Sequence, residues 1–260
     1  MERKQIDPEE REGQIEGRNA VMEAIRAGWT LDKVYIAKGD TDKGLARLAA
    51  AARAAGAVVV ETDRRKLDTL SLTKSHQGII AMAAAAPYYR VKDLLKRAEE
   101  KGEPPLLVAC DGIEDPQNLG AIIRTAEAAG AHGVIIPKRR SVGLTATVGK
   151  ASAGAMMHLP VARVSNLTAA LRELKKEGLW VYGTAADSPL SLYQVDWNGP
   201  AVLVIGSEGK GMSRLVGETC DQTVHIPMKG AVSSLNASAA AAVLLYEVVR
   251  QRGKSNMQAE

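Results

Sequence analysis

From Leu106 onward the chain keeps a regular rhythm, in which short unbroken apolar runs alternate with segments whose apolar residues recur every three or four positions. The apolar runs "LLVAC", "GVIIP", "LPVARV", "LWVYGTAA", "AVLVIG" and "QTVHIP" read as strands. The periodic segments "NLGAIIRTAEAAG", "TATVGKASAGAMM", "LTAALRELKKEG" and "SLNASAAAAVLLYEVVRQR" read as helices, with a short one after Gly211. Apolar strands without alternation are buried on both faces, so the pattern predicts a parallel sheet covered by helices on each side. Ligands of such sheets sit at the carboxyl ends of the strands.

Residues 14–86 carry a less regular version of the same alternation. "IEGRNAVMEAIRAG" reads as a helix ending at Gly28, "LDKVYIA" as a strand and "KGLARLAAAARAAG" as a helix; "AVVVE", "DRRKLDTLS" and "QGIIAMAAA" follow as strand, short helix and strand. Between the two regions, residues 87–105 are bracketed by prolines and mostly charged, which predicts a linker holding a solvated helix. The expected organisation is a flexible start over 1–13, a small α/β domain over 14–86, the linker, a larger domain over 106–250 and a polar, frayed tail over 251–260. No long-period repeat is visible.

Composition narrows the function classes. With 46% hydrophobic and 25% charged residues among 260, the chain is an ordinary globular sequence, not a disordered one. There is no Phe and only 3% aromatic residues, which argues against recognition built mainly on base stacking, although Tyr88, Tyr89 and Trp197 remain available for it. A net charge of +4 and a pI near 9.0 favour a polyanionic partner. Cys110 and Cys220 stand in strand-like contexts without metal spacing, so reduced thiols in a cytoplasmic protein are expected, and no metal. The charged start "MERKQIDPEEREG" lacks the apolar centre of a signal peptide, and no run is long enough to span a membrane.

The stretch "VLVIGSEGKGMS", Val202 to Ser213, breaks from a strand into glycines around Glu208. Glycine loops after strands commonly cradle phosphate. This one runs G-x-x-G-x-G from Gly206, the reverse of the dinucleotide order, and no Gly lies five residues before its Gly-Lys pair, so it is neither nucleotide fingerprint. A carboxylate inside the loop would repel a pyrophosphate, so a neutral or cationic ligand fits better. "YGTAA", "IPMKGAVSSLN" and "DGIEDPQNLGAIIR" also place small or polar residues just after apolar strands. Such a lining suits an uncharged purine carrying a small charged tail, and S-adenosylmethionine has that form with a positive centre.

"DPQNLGAIIRTAEAAGAHGVIIP", "VLVIGSEGKGMS" and "IPMKGAVSSLNASAAAAVLLYE" resemble, in order, the three motifs of the SpoU-type (TrmH-like) branch of the SPOUT RNA methyltransferases. "IEGRNAVMEAI" resembles the L30e-like RNA-binding domain that precedes the catalytic domain in many members. Within the family the chain is most similar to members that methylate a guanosine 2′-hydroxyl of 23S rRNA. The resemblance implies an α/β fold whose parallel-sheet domain carries a deep trefoil knot, a homodimer formed through that domain, S-adenosylmethionine as donor with S-adenosylhomocysteine as product, and structured RNA as partner. It implies that the backbone of Gly206, Gly209, Ile226 and Leu235 holds the adenosyl group, with Thr184 and Met228 lining the pocket.

The same resemblance assigns the chemistry to Asn118, Arg124, Glu208, Ser234 and Asn236. Arg124 matches the residue credited with activating the ribose hydroxyl. A guanidinium stays protonated in ordinary sites, so orienting the hydroxyl and stabilising the developing alkoxide suits it better than acting as a free base. Asn118 falls in the first turn of its helix, where an amide can cap free N–H groups. Glu208 would hold Arg124 or Asn118 in place, and Ser234 with Asn236 would contact substrate or donor.

Plainer readings stand beside these. Arg124 could be a surface residue on an amphipathic helix, and Ser233 or Ser234 a simple helix start. His76, His132, His158 and His225 have no partner spacing and read as structural, while Met156 and Met157 read as core or dimer packing. Lys138, Arg139 and Arg140 follow a strand end, where they could meet phosphates or simply be solvated. Three function classes remain: a 2′-O-methyltransferase of rRNA or of tRNA, a non-catalytic ribosome-assembly factor of the same fold, and a nucleotide-dependent oxidoreductase, which the glycine order disfavours.

Overall fold

The irregular alternation at the start of the chain folds as a four-stranded mixed sheet in the computed structural model, which describes residues 13–39 and 42–257. The flexible start expected over 1–13 lies outside the described residues except for Gly13. The chain divides into two units, Met1–Pro87 with Gly143–Thr147, and Tyr88–Val142 with Val148–Glu260.

In the first unit the elements are β1 (Gln14–Glu16), α1 (Arg18–Arg26), β2 (Leu31–Ala37), α2 (Lys43–Ala54), β3 (Val58–Thr62), α3 (Arg64–Leu70) and β4 (Ile79–Ala83). The sheet order is β1-β4-β2-β3, with β2 and β3 parallel and β4 antiparallel to both its neighbours. Leu45, Leu48, Ala49 and Ala52 recur at helical spacing along α2 and are buried with Val21, Val34, Leu67 and Ile79. β1 differs from the helix expected over its residues. Gly17 at φ 90 ends the extended segment before α1 begins, and Gln14, Ile15 and Glu16 pair with Met82, Ala81 and Ile80. Pairing partners almost seventy residues away overrule the local helical spacing.

Glu16 also builds the loop that follows α3. Its carboxylate accepts from Ser71 Oγ at 2.7 Å, from the N–H groups of Leu72 and Thr73, and from the Thr73 hydroxyl. Partial burial alone would raise its pKa, but the hydroxyl of Thr73 and the other donors prevail and hold it at about 2. His76 is structural as expected: its ring contacts Asp68 at 2.9 Å and accepts from Gly78 N at 3.0 Å.

The second unit contains α4 (Val91–Lys101), β5 (Leu106–Asp111), α5 (Pro116–Ala128), β6 (Gly133–Pro137), β7 (Val161–Val164) and α7 (Leu167–Lys176). It continues with β8 (Trp180–Thr184), β9 (Ala201–Gly206), α8 (Arg214–Gly217), β10 (Gln222–Val224) and α9 (Ala237–Met257), while α6 (Ala146–Ala151) lies between β6 and β7. All six strands are parallel, in the order β10-β8-β9-β5-β6-β7. Val108, Ala109, Cys110 and Val202 to Ile205 are buried, as continuous apolar strands between two helical layers must be. From β5 the order runs outward through β6 and β7; from β9 it runs the other way through β8 and β10. The point between β5 and β9, where successive connections diverge, is where this architecture opens a crevice.

Four expectations are corrected here. The segment expected as a linker does hold a helix, but α4 is not solvated all round: Leu94 and Ala98 are buried, and a Cβ on Gly133 would come within 2.2 Å of Leu94 Cγ. The single helix expected over 145–157 is broken, because Ala153 and Gly154 take φ 48 and 83, leaving α6 and a 3-10 turn at Ala155–Met157. Trp197 is unavailable for stacking on a base, being fully buried with Nε1 donating to Leu192 O at 2.9 Å. The tail expected to fray is helical through Met257, and residues 258–260 lie outside the described residues. Arg252 Nη1 donates to Pro104 O at 2.7 Å and Nη2 to Gly199 O at 2.7 Å, while Gln251 Nε2 donates to Val195 O at 3.0 Å, so this end of α9 is anchored.

Candidate active site

The carboxyl ends of four adjacent strands bring the site residues to one edge of the sheet. Asp111 of β5 pairs with Gly206 of β9, and Thr184 of β8 pairs with Val224 of β10. After Gly206 the loop turns back sharply: Gly211 N donates to Ser207 O at 2.8 Å and Ser207 N to Gly211 O at 3.0 Å. Gly209 and Gly211 take φ 74 and 64, which glycine adopts without steric cost. At Gly206 the need is close approach, since a Cβ there would lie 2.3 Å from the Gly211 carbonyl carbon and 2.4 Å from Met212 N. The loop exit is held by Asp111, whose Oδ2 accepts from Ser213 N at 2.6 Å.

This closed loop presents Glu208 to residues from two other motifs. Asn118 Nδ2 donates to Glu208 Oε1 at 2.9 Å, and Asn236 Nδ2 donates both to that oxygen and to Asn118 Oδ1, the latter at 2.8 Å. The triangle joins positions 90 and 28 residues from Glu208 along the chain. Each corner is placed by its own element. Asn118 stands on the first turn of α5, but the cap there is Asp115, which accepts from Gln117 N at 2.8 Å with Pro116 at the first helical position. That cap frees the buried Asn118 amide for the site. Asn236 is the actual start of α9: its Oδ1 accepts from Ser238 N at 2.9 Å and from Ala239 N at 3.3 Å, leaving its NH2 group for the triangle.

Beside the triangle, at the crevice between β5 and β9, lies a cleft of about 530 Å³. Loop residues after β5, from Asp111 to Asp115, form one wall, and Ser207, Glu208 and Lys210 to Ser213 form the other. Arg140 lines it from the loop after β6, which Val142 N ties to Ile113 O at 3.0 Å.

The remaining predicted residues are placed apart. Arg124, six residues beyond Asn118 on α5, faces solvent and makes no hydrogen bond or ion pair among the described residues. Within one chain, Glu208 bonds Asn118 and Asn236, and Arg124 stands apart from it. Ser234 is exposed and outside the triangle. Thr184 ends β8 with Oγ1 donating to Val204 O at 3.1 Å. Ile226, Met228 and Leu235 lie on the segment that leaves β10 toward α9. Among the described residues, the backbone N–H groups of 226–235 donate to no protein acceptor. Unpaired backbone groups on a segment that starts just after Val224, the partner of Thr184, fit a ligand such as the adenosyl group of S-adenosylmethionine, whose uncharged base needs neutral donors and acceptors. Asp115 and Lys210 escaped the sequence reading as functional positions. Asp before Pro at a helix start signals a cap, so Asp115 was findable, whereas nothing local marks Lys210.

Residues 105–246 match the SpoU rRNA Methylase family, and residues 14–89 match a family described as RNA 2′-O ribose methyltransferase substrate binding. YacO of Bacillus subtilis (strain 168), named for the TrmH family of tRNA/rRNA methyltransferases, is 51% identical over 91% of this chain and 94% of its own length. The AdoMet-bound rRNA methyltransferase of Sinorhizobium meliloti is 26% identical with a TM-score of 0.57, covering 92% of this chain and 88% of that one. The TrmH/SpoU tRNA modifying enzyme of A. aeolicus is 29% identical with a TM-score of 0.55, covering 65% of this chain and 87% of that one.

Proposed function

From the premise that the chain belongs to the SpoU rRNA methylase family, we propose that it transfers a methyl group from S-adenosylmethionine to a ribose 2′-hydroxyl, in a guanosine of 23S rRNA. The coarser activity, S-adenosylmethionine-dependent methylation of RNA, is that of the SpoU/TrmH family itself. The observation that carries the finer reading is the Asn118–Glu208–Asn236 triangle at the edge of the cleft. Three polar groups from three motifs, locked to one another, form a fixed frame against which a sugar hydroxyl can be aligned.

Bound at the strand edge, the donor supplies an electrophilic methyl on a sulfonium. The chain's own task is alignment. Glu208 accepts from both amides and fixes their orientation, and the tight 207–211 turn fixes Glu208. Arg124 orients the hydroxyl and stabilises the alkoxide as it develops. Its exposure on α5, away from the triangle of its own chain, supports a homodimer in which a second copy completes the site. The exposed Tyr246 and Val249 on α9, which packs against α5, support the same assembly.

The choice of rRNA is supported by coverage. The rRNA enzyme of S. meliloti aligns with nearly the whole chain, whereas the tRNA enzyme of A. aeolicus aligns with 65% of it. The match of residues 14–89 to a substrate-binding family supports ribose 2′-O chemistry. The trefoil knot belongs to the same reading: β9 lies between β8 and β5, and the chain leaves the sheet edge through 226–235 before α9 packs on α5 and β9. So does a cytoplasmic place of action; among the described residues no helix is long and apolar enough to cross a membrane.

The test is to incubate unmodified large-subunit rRNA and bulk tRNA separately with the protein and labelled S-adenosylmethionine, then identify labelled nucleosides by mass spectrometry. Label in 2′-O-methylguanosine from rRNA, lost in Arg124→Ala, is expected. Label only from tRNA replaces the substrate, and label at a base overturns the 2′-hydroxyl assignment. No label from either RNA, or from ribosomal precursor particles, turns the reading to a binding factor.

A further inference from the structure

The walls of the cleft carry six charged side chains, Asp111, Glu114, Asp115, Glu208, Arg140 and Lys210. By sign the lining is acidic, four carboxylates against two cations, but the groups differ in what they are already bonded to. Asp111 is bonded to Ser213 N, Asp115 to Gln117 N, and Glu208 to the two amides. Three of the four carboxylates are thus engaged in holding the site together. The two cations are engaged by nothing: among the described residues neither side chain makes a hydrogen bond or ion pair, although carboxylates line the same cleft. An ion pair within the cleft would be the ordinary fate of such neighbours, so their separation is a property of the geometry.

Arg140 is held there at a backbone cost. It takes φ 54, a region that a long side chain visits rarely, two residues before the loop is tied at Val142 N to Ile113 O. Arg139 and Lys138 share the loop but do not line the cleft. Lys210 stands one residue after Gly209, in the turn that Ser207 and Gly211 close. Two cations that are unengaged among the described residues thus line one cleft, from the loop after β6 and from the turn after β9.

We infer that Arg140 and Lys210 bind the backbone phosphates of the RNA substrate on either side of the target ribose, so that the cleft at the β5/β9 crevice is the nucleotide-positioning subsite. The inference rests on the reading of this chain as an RNA methyltransferase, and it names residues that the Asn118–Glu208–Asn236 frame does not include. The competing anion is the carboxylate of the donor, whose chemistry a guanidinium and an ammonium would also satisfy.

Salt dependence separates these cases. Each phosphate contact releases counterions, so losing one lowers the slope of log K against log salt by about 0.7 to 1. Binding of an unmodified large-subunit rRNA transcript is measured over a salt series for the wild-type protein, Arg140→Gln, Lys210→Gln, Arg140→Lys and Arg172→Gln, with S-adenosylhomocysteine affinity and melting temperature measured on each. Arg172 is an exposed cation of α7 outside the cleft and serves as the control. Expected are a roughly tenfold weaker RNA affinity and a slope lowered by about one for each Gln variant, with donor affinity unchanged. Arg140→Lys keeps the slope, and Arg172→Gln changes nothing. In turnover the Gln variants raise KM for RNA with little change in kcat.

Unchanged slopes in both Gln variants overturn the inference, as does weakened donor affinity in place of weakened RNA affinity. If one variant melts early, the other and Arg140→Lys decide. A wild-type protein that methylates no RNA but shows these slope changes defeats the proposed activity and leaves the phosphate contacts standing; active protein with unchanged slopes does the reverse.

Discussion

Each unit of the protein is organised around one glutamate, and the two are used in opposite ways. Glu16 in the first unit spends both carboxylate oxygens on four donors from one short segment, Ser71 to Thr73, and one oxygen also on the amide of Gln14. Within the loop after α3 itself, Lys74 N donates to Ser71 Oγ at 2.8 Å and Ser75 N to Thr73 Oγ1 at 3.2 Å, and Glu16 ties both hydroxyls to β1. Glu208 in the second unit sits in a loop that the Ser207–Gly211 backbone bonds have already closed. It uses one oxygen to hold side-chain amides from two distant motifs, and among the described residues its Oε2 accepts no hydrogen bond. One glutamate builds a loop; the other is presented by a loop. Sequence position alone does not tell them apart, since both stand next to a glycine of positive φ.

The contrast is sharpest where activity and stability should separate. Glu208→Ala removes the common acceptor of the triangle, and loss of a preorganised electrostatic group of this kind lowers kcat by about a hundredfold or more. The turn stays closed and water reaches the freed amides, so the melting temperature should move by no more than a degree or two, about 1 kcal/mol or less. Single-turnover methyl transfer alongside a thermal melt checks both halves. A large fall in melting temperature would mean that Glu208 builds its loop after all.

Glu16→Ala should show the reverse. The four donors of the 71–73 segment, and the Gln14 amide, lose a charged acceptor, which costs the first unit about 2 kcal/mol. Hydrogen exchange should report faster opening at Leu72 and Thr73, with methyl transfer per bound RNA little changed.

The smallest effect is on acid stability. The pKa of Glu16 lies at about 2 in the folded chain against an ordinary 4.5. The unfolded chain therefore binds the proton first, so the stabilisation is full above pH 4.5 and is lost as pH falls toward 2. Exchange rates in the 71–73 loop should rise across that window in the wild-type protein, and Glu16→Gln should flatten the dependence.

Much of the second unit was legible because its strands are apolar on both faces and its helices keep a steady period. "AVLVIG" is β9 to the residue, and "GVIIP" is β6. Failures fell where burial is decided by a partner distant in sequence. α4 reads as charged and solvated, yet two apolar positions one turn apart, Leu94 and Ala98, suffice to bury one side of it. β1 is three residues long, too short for any period to register. The break at Ala153 and Gly154 interrupts a segment whose composition favours helix throughout.

At the site, the three motifs were visible as motifs, and their order carried the family. Their meeting was not. Asn118 read as a helix cap, but Asp115 caps α5 and releases Asn118; Ser233 or Ser234 read as a helix start, but Asn236 is the start and serves the site at once. Arg140 stood in a run of three cations that local sequence treats alike, and only the cleft distinguishes it from Arg139 and Lys138.

The sequence by itself determined the alternation of strands and helices, the glycine loop that fits neither nucleotide fingerprint, and the family. Those are properties of consecutive residues, because period, turn chemistry and motif spacing act through the local backbone. The tertiary structure decided which polar groups share a hydrogen bond. Parallel pairing of β9 beside β5, and packing of α9 on α5, set Glu208 and Asn236 against Asn118 across 90 and 118 residues of chain. Such contacts arise from the summed burial of whole elements, and no single stretch of sequence records that sum.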